Sequence, residues 1–292
     1  MDGILNIHKA VGMTSHDVVG RVRKLLKQKR VGHAGTLDPA ASGVLPICVG
    51  QGTRVAEYLS ESGKAYRADI TFGVVTDTYD AEGDIVRQAP VTLTREDIEA
   101  VLSSFLGSQM QVPPIYSAIK IQGQPAYKRT RAGEELVLEP RPIHIYALDI
   151  LDWQSPRLTL AIECSKGTYI RSLAYDLGER LGCGAYLSAL VRTRSGPFEL
   201  SQSSTLEQLA EAIEQGTVSK LLFSSDYALQ QYPAIHLDEE TTVRVLHGNA
   251  FHGEPLPETL VRVYDDKGRF IAIATWNEQG QVWQPEKVFM QS

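Results

Sequence analysis

The chain has 292 residues, 43% of them hydrophobic, and a formal net charge of −6. This length allows one large domain and a small one, and no apolar run approaches the about 20 residues of a membrane span. The N-terminus also lacks the basic and apolar regions of a signal peptide, so we expect a cytoplasmic protein without membrane contacts.

Charge is distributed unevenly along the chain, and for phosphate binding this distribution matters more than the sum. Residues 21–30 hold six basic side chains and no acidic one, and every charge in residues 100–133 is positive. The first run predicts either a solvated helix face or a surface that binds phosphates. The acidic net charge therefore does not exclude a nucleic-acid partner.

Short helix-like and strand-like segments alternate irregularly, which predicts an α+β fold. Helical periodicity is seen at residues 18–26, 98–106, 170–181 and 206–215. Alternating apolar residues at 65–72 and 158–164 predict half-buried strands. We therefore expect a mixed, largely antiparallel central sheet flanked by helices. The polar, glycine-bearing residues 122–141 are interpreted as an insertion or loop.

A boundary near Gln231 divides the chain into residues 1–231 and 232–292. The smaller unit contains a strong hairpin signal, in which residues 261–264 and 270–274 flank an Asp-Asp-Lys-Gly turn. With about 60 residues, this unit is near the lower limit of independent stability, so it should pack on the larger one. It resembles the small PUA-type β-barrel that is often attached to RNA-modifying enzymes.

One acid stands alone in a loop of small residues. Asp38 lies in the run Gly-His-Ala-Gly-Thr-Leu-Asp-Pro at residues 32–39, and residues 18–51 contain no other acid. The two glycines let another chain come close, and Pro39 biases Asp38 toward an extended conformation. The loop therefore either forms an ordinary turn, in which Asp before Pro is common, or displays its single carboxylate for chemistry.

This loop, continued to Pro46, resembles the signature loop of the TruB-type pseudouridine synthases, which act on uridine in the T loop of transfer RNA. Other motifs of that family follow in the same order and cover most of residues 3–197. They match residues 9–15, in which Ala10 replaces the usual proline, and residues 64–67, 114–120, 164–173 and 190–192.

The resemblance implies a pseudouridine synthase catalytic domain over residues 1–231 and a PUA-like RNA-binding domain over residues 232–292. It implies that uridine 55 of transfer RNA is isomerised to pseudouridine with no metal and no cofactor. Cys48 and Cys164 lie in apolar, strand-like runs and Cys183 lies between two glycines, which suggests neither a metal-ligand pair nor a disulfide. We expect a monomer that binds the T stem-loop of transfer RNA and needs no obligate protein partner.

Three residues carry the chemistry that the resemblance implies. Asp38 matches the catalytic nucleophile of the family, and Arg171 matches the arginine that pairs with it. The helix dipole also disfavours a cation in the first turn at Arg171, which a nearby carboxylate would compensate, although an exposed arginine is the alternative. Tyr66 lies on the predicted inner face of its strand and could be core packing. The family assigns it to stacking on uracil and makes it a candidate for proton transfer from C5.

Five further residues are assigned to substrate or RNA contacts by the same resemblance. Tyr169 helps to order the site, and Leu190 forms an apolar wall against the base. His33 could be a loop histidine whose hydrogen bonds are satisfied within the protein, whereas the resemblance implies that its ring contacts the RNA and helps to fill the gap that the flipped nucleotide leaves. Lys9 and Lys120 make phosphate or structural contacts.

Two other functions are compatible with parts of this pattern. A glycoside hydrolase also uses a carboxylate at an anomeric carbon but normally needs two, and neither Glu163 nor Asp176 has a clear role as the second. A non-catalytic RNA-binding or RNA-folding module would use the basic residues and the C-terminal unit. The sequence also leaves open whether Asp38 attacks ribose C1′ or uracil C6, because both reactions need the same carboxylate.

Overall fold

The structure is a computed structural model that describes residues 1–116, 120–121, 124–125 and 138–289. Of Lys120, Ile121 and Pro125 it describes the backbone alone. Most of the predicted insertion at residues 122–141 therefore lies outside the described part. No helix within the described ranges combines the length and the apolarity that crossing a membrane requires.

The strands of the described residues are numbered in chain order. They are β1 (Gly3–Lys9), β2 (Val31–His33), β3 (Ser42–Val49), β4 (Lys64–Phe72), β5 (Val74–Thr76), β6 (Ile85–Gln88), β7 (Gly107–Gln111), β8 (Lys120–Ile121), β9 (Gln124–Pro125), β10 (Arg141–Gln154), β11 (Arg157–Cys164), β12 (Ala185–Ser195), β13 (Phe198–Glu199), β14 (Leu222–Phe223), β15 (Ala234–His236), β16 (Leu260–Tyr264), β17 (Phe270–Asn277) and β18 (Val282–Val288). The helices are α1 (Ser15–Leu26), α2 (Ala56–Glu61), α3 (Arg95–Leu102), α4 (Ile170–Arg180), α5 (Leu206–Glu214) and α6 (Glu239–Leu246).

A ten-stranded sheet forms the centre of the fold, in the order β14-β1-β3-β12-β4-β11-β10-β7, with β2 paired to β3 and β13 to β12. Its described pairs are antiparallel except β12 with β3, which are parallel where Val191 faces Ser42 and Arg192 faces Gly43. The predicted mixed, largely antiparallel sheet is confirmed. The parallel contact also brings the loop between β2 and β3, residues 34–41, beside β12.

Helix α1 begins at Ser15, earlier than the predicted start at residue 18. Thr14 and Asp17 form a capping box, in which the Thr14 hydroxyl accepts a hydrogen bond from the Asp17 backbone N–H. The same arrangement starts α3 at Arg95, earlier than the predicted residue 98. A capped first turn is partly exposed, so apolar periodicity becomes visible only in the second turn and places the start too late.

Three clusters of buried apolar side chains pack around the sheet. One lies between α3, α4 and strands β4, β10 and β11, and a second lies between α1, α5 and strands β1 and β3. The third joins β3 and α2 to the C-terminal unit. In β4, Ala68, Ile70 and Phe72 are buried as their alternation predicts.

The C-terminal unit contains the predicted hairpin, formed by β16 and β17. β18 continues this antiparallel pairing and β15 adds to β16 in parallel, which gives a four-stranded sheet in the order β15-β16-β17-β18. The expected closed barrel is not found among the described residues. Closure needs the two edge strands to pair, and here β15 is hydrogen-bonded through three residues to β16 alone.

The C-terminal unit packs on the rest of the chain, as its small size predicts. Ile273 and Phe289 are buried in one cluster with Val55 and Leu59. The Lys287 ammonium donates a hydrogen bond to the Arg54 carbonyl at 2.7 Å. A shared apolar core and a polar contact therefore hold residues 232–289 against the first part of the chain.

Candidate active site

A cavity of about 230 Å³ opens where the 34–41 loop, β4, β12 and the N-terminus of α4 meet. Its lining includes five predicted site residues from distant parts of the chain, which are Asp38, Tyr66, Tyr169, Arg171 and Leu190. The structure therefore brings the predicted nucleophile, its cationic partner and the aromatic and apolar walls into one site.

The loop that carries Asp38 is anchored from α1. The buried Ser15 hydroxyl donates a hydrogen bond to the Leu37 carbonyl at 3.0 Å and accepts one from the Leu37 N–H at 2.8 Å. On the other side of Asp38, the Gly12 N–H donates to the Pro39 carbonyl at 2.9 Å. Hydrogen bonds to the backbone on both sides of Asp38 thus fix the position of the loop that carries its carboxylate.

Arg192 anchors the same loop from β12. Its side chain is 1% exposed and donates to the carbonyls of Gly35 at 3.1 Å, Thr36 at 3.2 Å and Val44 at 2.7 Å. Gly43 permits the close approach of β12 to β3, because its φ is +106° and a Cβ there would lie 2.3 Å from the Arg192 carbonyl oxygen. Arg192 belongs to one of the motifs that match the family, and in the structure its hydrogen bonds hold the 34–41 loop against β12.

Arg171 lies in the first turn of α4 and joins two carboxylates. Its Nη2 is 3.0 Å from Asp38 Oδ2, and its Nη1 is 3.5 Å from Asp80 Oδ2. The carbonyls of Tyr116 and Thr78 accept further hydrogen bonds at 3.1 and 3.4 Å. These acceptors compensate both the burial of the guanidinium and its unfavourable place in the helix dipole.

Asp80 is a site residue that the sequence analysis missed. It is buried and accepts hydrogen bonds from the Thr78 hydroxyl at 2.6 Å and from the Glu82 N–H at 3.1 Å. Asp77 and Asp84 lie in the same short turn, so nothing in the local sequence distinguishes Asp80 from its neighbours. Only the position of α4 beside this turn identifies it.

Tyr66 presents its ring to the cavity from β4. Burial raises the pKa of the Tyr66 phenol, while the neighbouring Arg192 acts in the opposite direction. The neutral phenol is therefore the resting form near pH 7. A neutral aromatic ring at this wall can stack on an extruded base.

Lys64 lines the cavity but points its ammonium into protein. It donates hydrogen bonds to the carbonyls of Ser60 at 2.7 Å and Ser62 at 2.5 Å, at the C-terminal end of α2. Burial lowers the pKa of Lys64 to about 8. This lysine satisfies helix-terminal carbonyls next to the site.

Three other predicted contact residues lie outside the cavity lining or the described part. Lys9 is buried, and its ammonium donates to the carbonyls of Ala10, Met13 and Pro39, which favours the structural over the phosphate alternative. His33 is half-buried on β2, and burial lowers its pKa. The side chain of Lys120 lies outside the described residues.

The second carboxylate of a glycoside hydrolase is not among the described residues that line the cavity. Glu163 is exposed and paired with Arg194 at 3.1 Å, and Asp176 lies further along α4. The carboxylate that does accompany Asp38 is Asp80, and Arg171 lies between them. Across the described residues, no three His, Cys, Asp or Glu side chains are grouped so that they could hold a metal ion.

Three family models match the chain in succession. Residues 23–170 match the TruB family pseudouridylate synthase N-terminal domain, and residues 171–230 match the tRNA pseudouridylate synthase B C-terminal domain. Residues 233–288 match the C-terminal model of pseudouridine synthase II TruB. The matches cover the site described above and the C-terminal unit.

Whole-chain comparisons agree with these models. The tRNA pseudouridine synthase B of Stutzerimonas stutzeri (strain A1501) is 44% identical over 97% of this chain and 94% of its own length. That of Dehalococcoides mccartyi (strain ATCC BAA-2100) is 45% identical over 99% of this chain and 97% of its own.

Solved structures with the same fold include one chain of a protein complex and one chain of a ribonucleoprotein. A chain in the crystal structure of a Cbf5-Nop10-Gar1 complex is 28% identical, with a TM-score of 0.77 over 99% of this chain and 85% of that one. A chain in an H/ACA RNP bound to a substrate RNA containing 2′-deoxyuridine is 27% identical, with the same TM-score and coverage. By fold, by family models and by whole-chain identity, this chain belongs to the TruB family of pseudouridylate synthases.

Proposed function

We propose that the chain converts uridine 55 in the T loop of transfer RNA to pseudouridine, with Asp38 as the nucleophile. The observation that carries this proposal is the pairing of Asp38 with Arg171 at a cavity whose lining includes Tyr66 and Leu190. The relatives named tRNA pseudouridine synthase B support transfer RNA as the substrate.

The reaction breaks the bond from ribose C1′ to uracil N1 and joins C1′ to C5. C5 loses its proton and N1 gains one, so the mass of the RNA is unchanged. A nucleophile must stay ionised while the flipped base displaces water around it. Arg171 supplies the opposite charge that a desolvated carboxylate needs. Tyr66 offers a stacking face, and its phenol is the candidate group for handling the C5 proton.

RNA binding extends beyond the cavity in this proposal. The exposed basic residues Lys24 and Lys29 lie near the C-terminal end of α1, whose N-terminal Ser15 touches the Asp38 loop. Two other basic residues of the segment 21–30 make hydrogen bonds within the protein. Arg23 donates to the Val31 carbonyl, and Arg30 donates to the Thr53 hydroxyl. We assign the exposed lysines to phosphates of the T stem.

The two parts of the chain on either side of the predicted boundary have different roles in this proposal. We propose that residues 1–231 form the catalytic domain and residues 232–292 a PUA-like RNA-binding domain. The separate four-stranded sheet of the C-terminal unit supports this division, as does the separate family model over residues 233–288. His33 and Tyr169 would contact the RNA beside the flipped base. The protein would act as a monomer without an obligate protein partner.

The decisive experiment incubates the purified protein with unmodified transfer RNA and analyses the products. A synthase converts uridine without a change of mass, and mapping should place pseudouridine at position 55. A glycoside hydrolase would release free uracil, and a non-catalytic binding module would leave uridine intact. Either result, or pseudouridine outside the T loop, would contradict the proposal.

A further inference from the structure

The residue before Asp80 has an unusual backbone conformation. Tyr79 has a φ of +63°, in the left-handed region that is unfavourable for a residue with a large side chain. Non-glycine residues remain there only when surrounding contacts hold them. The left-handed conformation of Tyr79 therefore depends on the contacts that its neighbours make with it.

An aromatic stack holds Tyr79 against α4. Its ring lies parallel to that of Tyr175, with centroids 4.1 Å apart and an angle of 20° between the planes. The backbone is held as well, because the Leu187 N–H donates to the Tyr79 carbonyl at 2.9 Å and the Thr76 hydroxyl donates to the Asp80 carbonyl at 2.7 Å. Contacts from α4 and β12 thus converge on one residue.

Tyr79 lies between Thr78 and Asp80, and an oxygen atom of each of these two residues contacts Nη1 of Arg171. The Thr78 carbonyl accepts a hydrogen bond from Arg171 Nη1 at 3.4 Å, and Asp80 Oδ2 lies 3.5 Å from the same nitrogen. The backbone conformation of Tyr79 sets the relative position of both acceptors. Because the guanidinium is planar and rigid, an acceptor pair at Nη1 also sets the direction in which Nη2 meets Asp38.

Tyr175 lies one helical turn after Arg171 on α4. The same helix face therefore presents the guanidinium to Asp80 and the aromatic ring to Tyr79. Neither tyrosine lines the cavity. The stack couples the turn at residues 77–84 to α4 without touching the place where a base would lie.

We propose that Tyr79 and Tyr175 are positioning residues, whose stacking holds the Thr78 carbonyl and Asp80 where they aim Arg171 at Asp38. The inference rests on the proposed function, because the orientation of Arg171 toward Asp38 is expected to control the rate of uridine conversion. The stack contributes orientation, and it neither binds substrate nor takes part in proton transfer.

The test measures single-turnover conversion of a T stem-loop RNA at saturating enzyme, together with RNA affinity and the melting temperature. Variants are Tyr175→Ala, Tyr175→Phe, Tyr79→Ala and the Tyr79→Ala, Tyr175→Ala double variant. Tyr146→Ala removes an exposed ring elsewhere and serves as the matched control. If Arg171 loses its orientation toward Asp38, the rate of uridine conversion should fall by about tenfold or more in Tyr175→Ala and in Tyr79→Ala. RNA affinity should stay within twofold of the parent.

Two further results are expected if the stack is the cause. Tyr175→Phe loses the side-chain hydrogen bond to Tyr79 but keeps the stacked ring, so it should keep the parental rate. The double variant should be no slower than the slower single variant. Tyr79→Gly, which removes the ring and also the left-handed strain, should fold at least as well as the parent and still convert uridine slowly. This variant keeps the test valid if Tyr175→Ala fails to fold.

Parental rates in Tyr79→Gly and Tyr79→Ala would overturn the inference. So would a Tyr175→Phe rate as low as that of Tyr175→Ala, or a defect confined to RNA affinity. These outcomes require an active parent protein. A parent that leaves uridine unchanged contradicts the proposed function itself, and the inference then fails with it.

Discussion

Arg171 is almost fully buried, and its partner Asp38 is not. Nη2 of Arg171 lies 3.0 Å from Oδ2 of Asp38, yet the arginine side chain is 8% exposed and the aspartate side chain 45% exposed. A buried cation can influence a carboxylate strongly only if the carboxylate remains near it. The pair therefore combines a fixed positive charge with a carboxylate that still reaches the cavity.

Asp38→Asn should fold and bind RNA but convert uridine at least about a thousandfold more slowly, because an amide cannot act as the nucleophile. Arg171 would keep Asp80 and the carbonyls of Thr78 and Tyr116, so its charge would not be left without partners. Single-turnover assays measure the rate, and RNA affinity provides the control. Parental turnover would remove Asp38 from the mechanism.

Arg171→Lys should reduce the rate by about a hundredfold, since one ammonium cannot reproduce a planar fork whose two nitrogens face different carboxylates. Arg180→Lys is a matched control on the same helix, at an exposed position that packs on the Phe105 ring. It should keep the parental rate. Equal rates for the parent and Arg171→Lys would mean that charge alone suffices and geometry does not matter.

Replacing Lys24 and Lys29 by Gln should weaken RNA binding and flatten its salt dependence. If both lysines contact phosphates, the slope of log affinity against log salt should fall by up to about two units, without changing which uridine is modified. Lys27 is left in place because it caps α1 in a left-handed conformation.

Arg157→Gln is the control for the lysine variant. Arg157 is the first residue of β11 and does not line the cavity, so its replacement should leave the slope of log affinity against log salt unchanged. The slope is measured by titrating a T stem-loop RNA at several salt concentrations. An unaltered slope in the double lysine variant would identify Lys24 and Lys29 as part of a solvated surface that does not bind phosphates.

Asp176→Asn should change how stability depends on pH. Burial raises the pKa of Asp176 from 3.8 to about 6, against a smaller lowering by Arg180. Between these two values the folded state binds more protons than the unfolded state, so this carboxyl makes the parent less stable as pH rises through the window. The stability of Asp176→Asn relative to the parent should therefore increase from about pH 4 to pH 6 and then level off.

Urea denaturation of the parent and Asp176→Asn at a series of pH values measures this difference. The comparison cancels the contributions of the other carboxyl groups, which titrate in both proteins. A difference that stays constant across the window would show that Asp176 has the same proton affinity in the folded and unfolded states.

Much of this protein could be predicted from consecutive residues. The α+β class, the alternation in β4 and the hairpin of β16 and β17 follow from periodicity and turn chemistry, which are local properties. The loop of Asp38 was visible for the same reason, since its glycines, its proline and its isolated acid lie side by side. Arg171 could be identified as a candidate from its unfavourable place in the helix dipole and from its family motif.

Other features depend on contacts between distant segments. The buried Lys9 ammonium, for example, donates a hydrogen bond to the carbonyl of Pro39, 30 residues away, besides those to its neighbours Ala10 and Met13. Asp80 looks like its acidic neighbours until α4 brings Arg171 beside it. The order of the strands and the parallel contact of β12 with β3 decide these pairings. Local patterns specify which face of an element is apolar, whereas partner choice depends on the packing of the whole chain.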